Sequence, residues 1–160
     1  MTITILKENI MVEPRHVYEV LKQKKSYSMG WFDENRTIML VQIFGPWDFD
    51  ETLAGVAYMS EVIKSVGHPV YAVFEYTTEY ATLIPKEVSI FNMRQLIEYD
   101  PPNGQLAIFI RQDAITHTFL TVLHSVVALR RITNKYRFVH TWDEAMMLIE
   151  QHEELIAAQA

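Results

Sequence analysis

Five short apolar runs, each bounded by turn residues, constrain this chain more than any local motif: 27–32, 37–44, 70–76, 105–110 and 136–140. Helical patterns lie between them from the second run onward. The order read from the sequence is β-β-α-β-α-β-α-β-α, which predicts an α/β domain built on a single mixed sheet of about five strands, an N-terminal hairpin followed by parallel strands, with covering helices. The runs Val70–Tyr76 and Gln105–Ile110 are nearly unbroken in apolar character, as strands covered on both faces are, and belong at the centre. Strand–helix–strand connections within one sheet imply parallel pairing.

The punctuation agrees with this order. Asp33-Glu34-Asn35-Arg36 is a polar loop of hairpin length between the first two runs. Gly45-Pro46 ends the second strand. Asp48 and Glu51 have the spacing of a capping box, Leu53, Val56, Ala57, Ser60 and Ile63 recur at helical spacing, and Gly67 stands where a left-handed residue closes the helix. Thr141 and Glu144 repeat the capping box ahead of Ala145, Leu148 and Ile149, and the stretch Asp100–Gly104 marks the turn into the fourth run. Residues 1–26 read as an N-terminal arm or short helix: Pro14 followed by Val17, Val20 and Leu21 fits a helix with one apolar edge, with a strand as the alternative, and residues 27–160 read as the α/β domain.

Composition narrows the classes of function. The 160 residues include 14 basic and 20 acidic ones, a formal charge of −6, which repels a phosphate backbone, and the one basic cluster is Lys22, Lys24 and Lys25. No nucleic-acid partner is expected. The absence of cysteine removes disulfides, thiolate metal sites and cysteine nucleophiles. No signal peptide or membrane-inserting segment is read from the N-terminal stretch, and the expected location is cytoplasmic. His117 and His124 lie two helical turns apart, roughly 10 Å, too far to share a zinc ion, and Ile156 stands where a zincin helix begun by His152-Glu153 needs its second histidine. No metal or cofactor is expected, and no nucleophile elbow, Walker loop or dinucleotide fingerprint occurs. The reading is non-enzymatic, with an enzyme lacking any recognisable motif as the last alternative.

Two regions stand out as contact surfaces. On the helix after Pro85, Ile90, Met93, Leu96 and Ile97 form a core face, leaving Val88 and Phe91 on the far side. On the helix from about Ala114 to Arg131, His117, Thr121 and His124 form a polar but uncharged face, a pattern suited to a subunit contact. Val88, Phe91, His117, Thr121 and His124 are therefore the candidate interface. A candidate ligand or partner loop leaves the carboxyl end of a central strand, where α/β sheets place binding groups: Tyr76, Thr77, Thr78, Tyr80 and Thr82, with Trp47 at the sheet edge.

The element order, the link VQIFGPWDFDET and the closing FVHTWDEAMMLI together resemble the STAS family, the domain of bacterial anti-sigma-factor antagonists (SpoIIAA-like), and its SEC14-like relatives, over about residues 27–150. The resemblance implies a small regulatory domain that binds a protein partner, in some members switched by phosphorylation before the second helix. The antagonist branch carries an aspartate-serine-serine-glycine type of sequence there, whereas this chain has Leu83-Ile84-Pro85-Lys86, with Thr82 adjacent but not equivalent. The uncharacterised branch is thus the one resembled. The expectation is a regulatory or protein-interaction module, acting as a homodimer or on another protein. Binding of a small apolar or lipid-like ligand is the alternative.

Overall fold

The computed structural model describes residues 13–46, 48–77, 95, 98–110 and 134–160. One six-stranded mixed sheet organises them, with strands in chain order: β1 (Glu19–Gln23), β2 (Tyr27–Trp31), β3 (Ile38–Ile43), β4 (Val70–Tyr76), β5 (Gly104–Ile110) and β6 (Tyr136–Val139). β1, β2 and β3 pair antiparallel, and β3 through β6 pair parallel. Helix α1 (Phe49–Val66) covers one face, and a second helix, here α2 (Trp142–Gln159), covers the other. The helices expected after Pro85 and over 114–131 lie outside the described residues.

The two faces follow from strand alternation, because successive side chains point to opposite sides. Tyr27, Met29, Trp31, Met39, Val41, Ile43, Val70, Ala72 and Tyr76 meet Met59 and Ile63 of α1. Leu40, Tyr71, Val73, Leu106, Ile108, Ile110 and Val139 meet Ala145 and Ile149 of α2. Each apolar run is thus split between two cores. On the α1 face a row of rings crosses the parallel strands: Phe74 stacks on Phe109 at 4.8 Å, and Phe109 on Phe138 at 5.1 Å.

The turns show why the runs end where they do. The Asp33 carboxylate accepts from Thr37 N (3.0 Å), Thr37 Oγ1 (2.6 Å) and Ile38 N (2.8 Å), closing the β2–β3 loop around Arg36 in the left-handed region. Gly67 closes α1 at φ 72°, as its spacing predicts. Thr141 and Glu144 form both halves of their capping box.

Several expectations are corrected. Residues 19–23 form a sixth strand rather than helix: pairing with β2 overrides the local period, and the apparent helical edge is dispersed. Val17 packs with the α2-side core, Leu21 with the α1-side core, and Val20 is 57% exposed. At the start of α1, Asp48 accepts from Glu51 N at 2.8 Å, but Glu51 does not reciprocate; its carboxylate accepts from the Ser26 hydroxyl and ties the helix to the β1–β2 turn. The buried face of α1 keeps the expected Ser60 and Ile63 and adds Phe49, Thr52, Gly55 and Met59, while Leu53, Val56 and Ala57 are only half-buried. Gly55 faces the Tyr27 ring, where a Cβ would lie 3.4 Å from the hydroxyl, an ordinary contact distance. Gly45 is uncrowded and has no positive φ, so the break after β3 belongs to Pro46.

Candidate functional site at the carboxyl edge of the sheet

The parallel strands β3 and β4 each carry one polar residue just before their carboxyl ends, and the register places Gln42 directly beside Glu75. Both point to the α2 face, one residue out of phase with Tyr76 and Ile43 on the α1 face. Glu75 is 1% exposed and Gln42 3% exposed. A carboxylate so deeply withdrawn from water requires an opposite charge and a full set of donors.

Arg15 supplies the charge from the segment before β1. Its Nε donates to Glu75 Oε1 at 2.8 Å and Oε2 at 3.0 Å, and its Nη2 donates to Oε2 at 2.8 Å. This side-on, two-nitrogen grip is the geometry in which a guanidinium recognises a carboxylate best. Gln42 completes the set: its Nε2 donates to Glu75 Oε1 at 2.8 Å, while its Oε1 accepts from the Arg15 backbone N–H at 3.0 Å. The guanidinium carbon lies 4.2 Å from the ring centroid of Trp142, a cation–π contact. Trp142 opens α2 directly after its cap Thr141 and is braced by Phe32, 4.8 Å away between ring centroids. The site thus has a carboxylate floor, an amide at its side and an indole wall, each on a different element of the scaffold.

The other end of α2 is fixed by Tyr71, whose hydroxyl lies 2.9 Å from His152 Nδ1. From Trp142 to His152 is ten helical residues, about 15 Å, and from Glu75 back to Tyr71 is four strand residues, about 13 Å. The matching spans show α2 running antiparallel to β4. Burial, assisted by the Glu153 carboxylate, pushes the Tyr71 phenol up to about 12. Burial also raises Tyr136 to about 12, with Asp100 contributing, while Asp100 itself pairs with Lys135 at 3.0 Å.

Of the residues expected to form a binding loop, two are described. Tyr76 is 3% exposed within the α1-side core. Thr77 is fully buried, and its N–H and hydroxyl both donate to the Ile43 carbonyl at 3.0 Å, extending the β3–β4 pairing by one residue. Trp47, Thr78, Tyr80 and Thr82 lie outside the described residues, as do Val88, Phe91, His117, Thr121 and His124. The sequence reading missed Arg15, Gln42, Glu75 and Trp142. A signal for two of them exists: a lone carboxylate in VYAVFEY and a lone amide in TIMLVQIF, each one residue before the end of its strand. Arg15 has no local signal.

Among the described residues no group of histidine, aspartate and glutamate could hold a metal ion, and no helix is long and apolar enough to cross a membrane. No family model, curated protein or solved structure matches the chain.

Proposed function

We propose that this chain is a STAS-like regulatory module that acts through protein contact and associates with a second copy of itself. The observation that carries the reading is the bare end of α2. Ala145, Ile149, His152 and Ile156 recur along one stripe of the helix; the first two are buried, and His152 meets Tyr71 near the amino end of β4. Ile156 lies about 6 Å farther along the axis. There it is 40% exposed, with Leu155 beside it at 60%. The core-facing stripe therefore runs past the sheet that it covers, and an apolar ridge uncovered among the described residues is what a partner surface offers. From Tyr27 onward the described strands and helices are compatible with the element order on which the STAS resemblance rests in part.

Sedimentation equilibrium is the test. The wild type is expected to sediment as a dimer and Leu155→Asp/Ile156→Asp as a folded monomer; Phe91→Asp and His124→Glu probe the interface expected from the sequence. A wild type that stays monomeric at high concentration contradicts self-association. The apolar-ligand alternative has its own floor in the half-buried row Phe74, Phe109 and Phe138. A monomer that copurifies with a small apolar molecule in native mass spectrometry decides for that alternative.

A further inference from the structure

We propose that Glu75, Gln42 and Trp142 form a guanidinium-recognition pocket that the chain fills with its own Arg15, and that an arginine side chain of a partner peptide takes that place when the segment before β1 lifts away. The choice of a peptide as occupant rests on the contact reading above; the pocket itself does not.

The pocket is complete around a guanidinium. Both carboxylate oxygens of Glu75 engage one edge of the group, and the Trp142 ring attracts the cation from 4.2 Å. A lysine ammonium would reproduce the charge but not the planar two-nitrogen grip. The walls belong to the scaffold rather than to the occupant. Gln42 and Glu75 are paired neighbours on interior strands, and Trp142 sits on a capped helix start against Phe32.

The backbone that carries the occupant, in contrast, is held mainly through Arg15 itself, whose N–H donates to Gln42 Oε1. Residues 13–18 make no backbone–backbone hydrogen bonds among the described residues, and Glu13, Pro14, His16 and Tyr18 are exposed. Arg15 and Val17 are the two side chains that turn inward, and the Arg15 side chain is still 29% exposed. When Arg15 leaves, a carboxylate that is 1% exposed with Arg15 in place loses its counter-ion, and the demand for a replacement cation is built into the fold. The segment thus acts as an intramolecular competitor for any arginine-bearing ligand.

The experiment uses Arg15→Ala and Arg15→Gln in the full chain, with N-acetyl-argininamide as the probe and N-acetyl-lysinamide as the comparator. Both variants melt below the wild type. At about ten times its dissociation constant the arginine probe raises their Tm by about 3–6 °C. The lysine probe raises it by less than half as much, and the wild type, already filled, does not respond. Adding Glu75→Gln to Arg15→Ala abolishes the response. A probe that leaves both variants unmoved, or moves wild type and variants equally, overturns the pocket. If neither variant folds unaided, probe-dependent recovery of the near-ultraviolet dichroism supports the pocket and its absence overturns it. An arginine-bearing peptide that binds Arg15→Ala no better than its alanine counterpart, while the free probe still binds, overturns the peptide assignment alone. Failure of the pocket leaves the α2 contact, read by sedimentation, unaffected.

Discussion

Tyr71 shows how much a single side chain settles at the residue scale. It is 2% exposed, places its ring edge-on to His152, and keeps its hydroxyl paired in the interior. Its ionisation is raised from 10.0 to about 12, first by burial and then by the Glu153 carboxylate. The native state therefore holds a proton that the unfolded chain releases near its ordinary value, so the contribution to stability is full below about pH 10 and is lost as pH rises toward 12. Tyr136 acts in the same direction. Chemical denaturation across this window is expected to show Tyr71→Phe less stable than wild type at neutral pH by about 1 kcal/mol and with a shallower alkaline decline. An unchanged slope would contradict the assignment. Ser60 is the opposite case, a fully buried hydroxyl on α1 with no hydrogen-bond partner among the described residues. Its burial is the one that helical spacing predicts, on one stripe with Ile63.

At the scale of elements, the boundaries legible in the sequence are those set by local chemistry. The Thr141–Glu144 box, the Asp48 cap, Gly67 and the Asp33 loop all act within five residues of themselves, and each appears where its spacing predicts. For β1 the local period leaves helix and strand both open, because its structure comes from β2. The approach is close: a Cβ on Gly30 would lie 2.4 Å from the Glu19 carbonyl oxygen, and the pairing shifts register between Val20 and Lys22. Glycine at position 30 is therefore required by the neighbouring backbone rather than by its own φ. Gly30→Ala is expected to detach β1, so that hydrogen exchange accelerates over residues 19–23 while β4 and α1 keep their protection. Equal acceleration throughout the sheet would mean that β1 is integral to the core.

At the scale of the whole molecule, the same distinction separates what was readable from what was not. A sheet with two covered faces is written into the alternation of every strand. The site at its carboxyl edge depends instead on Arg15 finding Gln42, 27 residues away, and Glu75, 60 residues away. No periodicity encodes those separations. The ion pair is what fastens the segment before β1 across the finished sheet, and with one partner buried its loss costs far more than that of an exposed pair. A double-mutant cycle on global stability with Arg15→Ala, Glu75→Gln and the combination measures that fastening directly. Arg15→Ala alone is expected to cost about 3 kcal/mol, with a coupling energy between the two sites above about 1.5 kcal/mol. A coupling energy below about 0.5 kcal/mol, the level of two independent surface charges, would contradict it.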